Sequence, residues 1–270
     1  SIQRHQAAIF PGVQMFYQKI IEHPRVKSYT LTSVRICLSG AGPLMREVQE
    51  VFERITGAKV VEGYGLTEAS PVTHCNPLFG RRKVGTIGLP FPSTDAKLVD
   101  LEGGMRDVAG GEPGELIVRG PQVMQGYWGR DEETRAVLRD GWLLTGDIAV
   151  MDEEGYFRIV DRKKEMIKSG GENVYPRDIE EVLFRHPAVQ DAAVIGVPDK
   201  QFGEKVKAFV VLKAGASASE ADLIAHCRAS LSGFQTPKAV AFRAELPRTQ
   251  VGKLLRRVLV DEERAAAGKA

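Results

Sequence analysis

The stretch that decides the fold is Val34-Arg-Ile-Cys-Leu-Ser-Gly40, a short apolar run that ends at a glycine. Such a run is typical of a strand buried on both faces of a sheet. Pro43 then begins a helical segment that ends at Thr56-Gly57, and Ala58-Lys-Val-Val-Glu-Gly63 is a second strand-like run. A strand, a helix and a strand joined by short connections predict a βαβ unit, and therefore a parallel sheet.

The segment between these two runs has the pattern of an amphipathic helix. Its apolar residues fall on one face at helical spacing and would pack on the sheet: Leu44, Val48, Val51, Phe52 and Ile55. A further helix is predicted over residues 13–23, in front of the first strand. Residues 1–79 are therefore predicted to form an α/β subdomain.

The rest of the chain divides into two regions of different character. Residues 80–160 contain short β-rich runs separated by Gly-Gly and Pro-Gly turns, which predict an antiparallel, barrel-like subdomain. After the charged junction Arg162-Lys163-Lys164, residues 161–270 return to a mixture of helices and strands. Pro176 and Ser219 are typical helix starts, so this last region is predicted to be a small α+β domain.

Composition excludes several classes of protein. The formal net charge is +2, so bulk charge does not predict a nucleic-acid partner. Cys37, Cys75 and Cys227 are too widely spaced for a zinc set, and an odd count favours reduced thiols in a cytoplasmic location. No apolar run approaches the roughly 20 residues of a membrane-spanning helix. The chain begins at Ser1, within an amphipathic segment, and we expect it to be incomplete.

Two polar loops follow the predicted strands, where ligands bind in α/β sheets. They are Ser39-Gly-Ala-Gly-Pro43 and Gly63-Tyr-Gly-Leu-Thr-Glu68. Their glycines would let a planar ring lie against the backbone, and Tyr64 would stack on it. The Thr67 hydroxyl suits a phosphate oxygen, and the Glu68 carboxylate suits Mg²⁺. Taken alone, each loop is better explained as an ordinary turn with a packed tyrosine.

Three further polar segments suggest ligand contacts. Gly141-Trp-Leu-Leu-Thr-Gly-Asp147 places a carboxylate where it would accept both hydroxyls of a ribose. Lys253 follows a glycine and would bring a point charge to a phosphate, although the segment does not fit the P-loop pattern. The glycine pair in Ser169-Gly-Gly-Glu-Asn173, between a β run and the helix at Pro176, would line a narrow passage. Each segment has an alternative without a ligand. Asp147 would be an ordinary turn residue, Lys253 a solvated surface side chain, and the glycine pair a flexible turn.

In order and spacing, these motifs together closely resemble the motif series of the adenylate-forming enzymes, and in particular of acyl-CoA synthetases. The likeness covers nearly the whole chain, in these segments: Ser39-Gly-Ala-Gly-Pro-Leu, Tyr64-Gly-Leu-Thr-Glu, Gly114-Glu-Leu with Gly126-Tyr-Trp, Gly141-Trp-Leu-Leu-Thr-Gly-Asp, Asp161-Arg-Lys-Lys with Ser169-Gly-Gly-Glu-Asn, and Pro247-Arg-Thr with Gly252-Lys. Gly85-Thr-Ile-Gly-Leu-Pro and Pro92-Ser-Thr-Asp resemble the bacterial long-chain fatty acid–CoA ligase branch.

The resemblance implies an ATP-dependent fatty acid–CoA ligase that works in two half-reactions. A fatty acid would attack Mg-ATP to give an acyl-adenylate and pyrophosphate, and the CoA thiol would then displace AMP. The implied cofactor is Mg²⁺, with ATP and CoA as co-substrates. The implied fold combines a partial α/β subdomain, a β-rich subdomain and a mobile C-terminal α+β domain.

Matched residue by residue, the resemblance also implies a site for ATP or AMP: Gly40, Ala41, Gly42, Tyr64, Gly65, Thr67, Asp147, Arg162 and Lys253. Tyr64 would stack on adenine, and Asp147 and Arg162 would bind the ribose. The catalytic residues would be Thr67 on the α-phosphate, Glu68 on Mg²⁺ and Lys253. Lys253 would bridge the substrate carboxylate and the α-phosphate, in an electrostatic role.

The family moves its C-terminal domain between the two half-reactions. The hinge position corresponds to Lys164 in this sequence. In the second arrangement, Lys253 would leave the site, and Gly170 and Gly171 would line the passage for the pantetheine arm of CoA.

One family motif has no counterpart. The Ser/Thr/Gly-rich phosphate loop is not found, and nothing before Ser39 resembles it. We therefore expect this chain to be the C-terminal half of the enzyme, weak or inactive in adenylation. We also expect an exposed sheet edge that forms a homodimer or pairs with the missing N-terminal half.

Two other functions stay open on the sequence. One is an adenylation enzyme that loads the phosphopantetheine arm of a carrier protein instead of free CoA. The other is a non-catalytic fragment that binds a nucleotide or a protein partner. Peripheral association with a membrane is compatible with each of them.

Overall fold

The computed structural model describes residues 1–42, 44–249 and 252–267. The chain divides into two compact units, Ser1–Ile159 and Val160–Ala270. Pro43, the predicted first residue of a helix, lies outside the described residues. Within the described ranges, no helix has both the length and the apolar character needed to cross a membrane.

The first unit contains a five-stranded sheet in the order β1-β2-β3-β4-β5. The strands are β1 (Ile9–Gly12), β2 (Ile36–Ser39), β3 (Lys59–Gly65), β4 (Val72–Cys75) and β5 (Leu89–Pro90). β1, β2 and β3 are parallel, and β4 and β5 are antiparallel to their neighbours. Helix α3 (Arg46–Thr56) connects β2 to β3, so the predicted βαβ unit and its parallel pairing are confirmed.

The core of this sheet is packed by two helices, α2 (Gln14–Ile21) and α3. On the predicted apolar face of α3, Val48 and Phe52 are buried, while Val51 and Ile55 are only partly buried. α3 ends at Gly57, whose φ of 74° needs a residue without a Cβ atom. The same unit holds a short helix, α1 (Ile2–His5), and two single 3-10 turns (Val26–Ser28 and Thr67–Ala69).

The second sheet of the first unit is antiparallel in every pairing described, as the short β-rich runs predicted. Its strands are β6 (Asp95–Val99), β7 (Gly114–Arg119), β8 (Leu138–Arg139), β9 (Trp142–Met151) and β10 (Phe157–Arg162). Their order is β10-β9-β7-β6, with β8 paired to β9, and helix α4 (Asp131–Val137) precedes β8. Leu116, Val118, Leu143 and Phe157 form the centre of its core.

The second unit is built on a third sheet with helices α5 (Pro176–Phe184), α6 (Glu220–Arg228) and α7 (Arg256–Ala267). The strands are β11 (Ile167–Ser169), β12 (Glu172–Val174), β13 (Val189–Asp199), β14 (Gly203–Leu212) and β15 (Ala239–Phe242). They run in the order β12-β11-β14-β13, and β15 lies parallel to β14. The α+β character of this region is confirmed.

Both predicted helix starts in this unit are observed. Pro176 is the first residue of α5. The Ser219 hydroxyl accepts a hydrogen bond from the Asp222 amide at 3.2 Å, and the Asp222 carboxylate accepts one from the Ser219 amide at 2.9 Å. This reciprocal capping box satisfies two backbone donors at the start of α6. Leu183 of α5 and Leu223 of α6 are both fully buried in one core.

Gly88 allows a matched test of packing between β4 and β5. At Gly88 a Cβ atom would lie 2.2 Å from the Cys75 carbonyl group, whereas at Gly85 nothing lies within 4 Å. Their φ values are nearly equal, 84° and 82°. We expect Gly88→Ala to lower the free energy of unfolding by more than about 3 kcal/mol. Gly85→Ala should cost only about 1–2 kcal/mol, because it adds backbone strain alone. Urea denaturation measures both, and equal losses would contradict the packing argument.

Candidate functional site

A hydrogen bond between two predicted site residues connects the two sheets of the first unit. The Tyr64 hydroxyl, at the end of β3, donates to Asp147 Oδ2 of β9 at 2.6 Å. Asp147 is only 4% exposed, whereas Tyr64 is half-buried. The arrangement sets an aromatic ring beside a buried carboxylate that accepts hydrogen bonds.

Asp147 is held by a β-bulge. The register of β7 against β9 shifts between Glu115 and Ile117, and Gly146 has a φ of 71°. The Gly146 amide donates to the Glu115 carboxylate at 3.2 Å, and the Asp147 amide donates to Thr145 Oγ1 at 3.1 Å. The sequence predicted a β run over residues 143–150, and the structure confirms it, whereas the alternative of a turn aspartate at Asp147 is wrong. Asp147 lies within the ten-residue strand β9, and the bulge turns its side chain.

Thr67 and Glu68 lie in the 3-10 turn that follows β3. The Tyr127 hydroxyl donates to Glu68 Oε1 at 2.7 Å, and the Glu68 carbonyl accepts the Met124 amide at 2.8 Å. Burial, together with the Glu68 carboxylate, raises the pKa of Tyr127 to about 12, so the phenol stays a donor. The sequence assigned no role to Tyr127, although its motif, Gly126-Tyr-Trp, belongs to the series of motifs described above.

His74 packs behind Tyr64, a contact that no sequence pattern indicated. The two residues face each other across β3 and β4, with ring centroids 6.0 Å apart. Phe157 packs on the imidazole at 4.9 Å, and Thr73 Oγ1 lies 2.9 Å from its Nδ1. Burial lowers the pKa of His74 to about 4, so the ring is neutral at neutral pH.

The two glycine-containing loops of the first unit lie next to each other. A Cβ atom on Gly40 would lie 3.8 Å from the Gly63 carbonyl oxygen, and one on Gly42 would contact nothing within 4 Å. Ala41, between them, has a φ of 62°. A Cβ atom on Gly65 would lie 1.9 Å from the Pro71 carbonyl oxygen. Packing against the Pro71 backbone therefore requires glycine at position 65. This reason differs from the predicted one, which was the close approach of a ligand ring.

The carboxylate of Glu68 fits a magnesium site in which the protein supplies a single ligand. Among the described residues, no three His, Cys, Asp or Glu side chains lie close enough to bind a metal ion by themselves. Mg²⁺ is commonly held by one or two carboxylates together with the phosphates of a substrate. Glu68, oriented by Tyr127, matches a single protein ligand of that type.

The remaining predicted site residues lie in the second unit. Lys164 is exposed in the turn after β10, where the Glu165 amide donates to the Arg162 carbonyl at 2.9 Å. Gly170 and Gly171, with φ of 63° and 88°, form the two-residue turn of the β11–β12 hairpin. The sequence instead suggested a direct connection from a strand to the helix at Pro176. That was wrong, because β12 intervenes.

Comparison with known proteins identifies the family. Residues 1–128 match the AMP-binding enzyme family, and residues 178–253 match the AMP-binding enzyme C-terminal domain. The chain belongs to the AMP-binding enzymes. The resemblance to adenylate-forming enzymes, drawn from the order of the motifs, is thereby confirmed.

Curated relatives of this AMP-binding enzyme are similar over nearly its full length. A long-chain-fatty-acid–CoA ligase of Bacillus subtilis (strain 168) is 54% identical over 262 residues, which are 97% of this chain and 47% of that protein. A ligase of the same name from Escherichia coli O157:H7 is 48% identical, over 94% of this chain and 45% of that protein. The chain thus spans about half the length of the curated relatives it matches.

Solved structures show the same fold. The crystal structure of ATP-bound MatB from Rhodopseudomonas palustris is 36% identical in sequence, with a TM-score of 0.86. That likeness covers 96% of this chain and 51% of the MatB chain. The predicted combination of a parallel α/β sheet, an antiparallel sheet and an α+β unit is therefore the fold of adenylate-forming enzymes.

The buried His74 gives a prediction about pH. Its pKa is about 4 when folded, against about 6.5 in an unfolded chain. The unfolded state therefore binds a proton in this window that the folded state does not, so stability falls as pH falls from about 6.5 to 4. The loss should reach about 3 kcal/mol, and His74→Phe should remove it. Denaturant titrations at pH 7 and pH 4 test this, with exposed His5→Phe as the control. An unchanged pH dependence in His74→Phe would contradict it.

Proposed function

We propose that this chain takes part in the ATP-dependent, AMP-forming ligation of a long-chain fatty acid to CoA. The observation that carries the proposal is the 2.6 Å hydrogen bond between the Tyr64 phenol and the Asp147 carboxylate. A nucleoside offers a planar base to the ring and two ribose hydroxyls to the carboxylate. The names of the relatives from B. subtilis and E. coli support a fatty acid as the carboxylate substrate and CoA as the acceptor.

The reaction would proceed in two displacements. A carboxylate oxygen of the fatty acid would attack the α-phosphorus of ATP, and the bond to pyrophosphate would break. The CoA sulfur would then attack the acyl carbonyl, with release of AMP and transfer of the thiol proton to solvent. Mg²⁺, when bound, neutralises charge on the phosphates. The first step is needed because a carboxylate is a poor electrophile, whereas AMP is a good leaving group.

In this proposal the first unit holds the nucleotide. An ionised carboxylate can accept about four hydrogen bonds. Asp147 would therefore bind the ribose hydroxyls and still accept the hydrogen bond from the Tyr64 phenol. The loop Gly40-Ala41-Gly42 would flank the adenine, because the space beside Gly42 is open: a Cβ atom there would contact nothing within 4 Å. The exposed Thr67 hydroxyl would donate to the α-phosphate, and Glu68 would bind Mg²⁺ with its orientation set by Tyr127.

The second unit would supply the mobile groups. Lys253 is exposed and would offset negative charge where the carboxylate and the α-phosphate meet. Arg162 would support the ribose, and Lys164 would be the hinge. In the thioester-forming step, the turn at Gly170 and Gly171 would line the pantetheine passage, since it carries no side chains.

Nucleotide binding provides the first test. We expect the chain to bind AMP, and Asp147→Ala to weaken binding roughly tenfold or more because charge-assisted hydrogen bonds are lost. Tyr64→Phe keeps the ring and should cost about threefold. Isothermal titration calorimetry measures the affinities, with exposed Asp131→Asn as the matched control. Absence of AMP binding, or an equal effect of the control, would argue against the proposed site.

The two half-reactions provide the second test. Where the chain catalyses ATP–pyrophosphate exchange, Lys253→Ala should lower that exchange far more than thioester formation from preformed acyl-adenylate. Lys164→Pro should do the reverse, because it restricts the hinge that only the second step needs. The second assay is run with CoA and with a phosphopantetheinylated carrier protein, and CoA should be the better acceptor. Equal loss of both half-reactions in Lys164→Pro would rule out the hinge role.

A further inference from the structure

A partly buried guanidinium joins three separate parts of the second unit. Arg256, the first residue of α7, donates through Nη1 to Glu165 Oε2 at 2.6 Å. Through Nη2 it donates to both carboxylate oxygens of Glu180 on α5, at 2.8 and 2.6 Å. The side chains of Arg256 and Glu180 are only 18% and 10% exposed. One side chain therefore ties the start of α7 to α5 and to the turn that contains Lys164.

A third carboxylate lies close to the same guanidinium. Asp161 is 6% exposed, and its two oxygens accept the backbone amides of Arg162 at 2.7 Å and of Arg177 at 2.9 Å. Although burial acts in the opposite direction, the negative charges of Glu180, Glu165 and, least, Asp161 raise the pKa of Arg256. Asp161 and Glu165 stand on either side of Lys164 in sequence. The segment proposed as the hinge is thus bracketed by two carboxylates that interact with Arg256.

Lys253 lies three residues before Arg256, in a loop closed by its own hydrogen bonds. We call the described residues of 247–255 the Lys253 loop. The Lys253 amide donates to Thr249 Oγ1 at 3.1 Å, and the Leu255 amide donates to the Pro247 carbonyl at 2.8 Å. Arg248 donates to both carboxylate oxygens of Asp191 on β13, at 2.7 Å. The loop is therefore anchored by an arginine at each end.

The two anchors differ in what they connect. Arg248 fixes one end of the Lys253 loop to the sheet, in a partly exposed pair. Arg256 fixes the other end to α5 and to the turn after Lys164 in a mostly buried cluster. The planar guanidinium contacts two carboxylates at once, which a lysine ammonium on a flexible stem does not reproduce. Removal of one partner would leave buried charge uncompensated.

We propose that Arg256 is a positioning residue for Lys253, through which the hinge segment and the Lys253 loop are held as one body. The inference rests on the proposed function of Lys253 and Lys164, and it adds the residue that connects them. Arg256 itself touches no substrate in this scheme. It acts by fixing the backbone that carries Lys253.

The test is amide hydrogen exchange on the full chain. Glu165→Gln is nearly isosteric and removes only the negative charge on the hinge side. Arg256→Lys keeps the positive charge but loses the planar guanidinium that contacts two carboxylates at once. We expect each to speed exchange of the Lys253 and Leu255 amides by about tenfold, with β13 and β14 unchanged. Arg257→Met is the matched control, because the neighbouring Arg257 side chain is 92% exposed.

The outcomes separate this inference from the proposed function. Faster exchange confined to the Lys253 loop and the turn at Lys164 supports it. Unchanged exchange in Glu165→Gln overturns it, as does equal acceleration across β13 and β14, which would make Arg256 a general stabiliser. Both variants should still bind AMP, because the contact between Tyr64 and Asp147 lies in the first unit. Where the chain turns over, Arg256→Lys should lower kcat for pyrophosphate exchange about tenfold with little change in KM for ATP. Failure of AMP binding in the unchanged chain would count against the proposed function instead.

Discussion

In the first unit, β2 and β3 pair in parallel, so their carboxyl ends lie at the same edge of the sheet. That pairing sets the Gly40 loop beside Gly63, at the start of the segment that carries Tyr64, Thr67 and Glu68. The chain then reverses, and β4 runs antiparallel to β3. As a result His74 lies behind Tyr64, and the ring is supported from the sheet while its hydroxyl reaches Asp147. The groups on β3 and in the turn after it depend on that parallel pair, whereas Asp147 depends on the bulge in β9.

Burial determines the protonation states around this edge. The imidazole of His74 has a pKa of about 4, because its charged form would be desolvated. It therefore supports Tyr64 without adding positive charge near a site proposed for an anion. The raised pKa of Tyr127 has the same physical origin, and it keeps a proton available for the Glu68 carboxylate. In the second unit, burial raises the pKa of Glu180, although the Arg256 guanidinium acts in the opposite direction.

Local patterns in the sequence were sufficient for several elements. The apolar runs around Cys37 and Val60, with an amphipathic segment between them, predicted β2, α3 and β3. Ser219 with Asp222 three residues later is a local capping signal, since both partners lie within one helical turn. In contrast, β1 was not predicted, because Pro11 and Gly12 interrupt its apolar pattern. Pairing with β2 stabilises it at the edge of the sheet, where a proline is tolerated.

The sequence by itself determined the family, the β2–α3–β3 unit, the starts of α5 and α6 and most of the residue types proposed for the site. These follow from periodicity, turn chemistry and the spacing of motifs, all of which are local along the chain. Only the tertiary structure decided that Asp147 lies on a bulge within β9, that Tyr127 contacts Glu68 and that Arg256 joins Glu165 to Glu180. Those contacts join residues 59 to 91 positions apart, or depend on register between strands. No local pattern encodes them, because they exist only once the sheets have formed and water has been excluded from the packed faces.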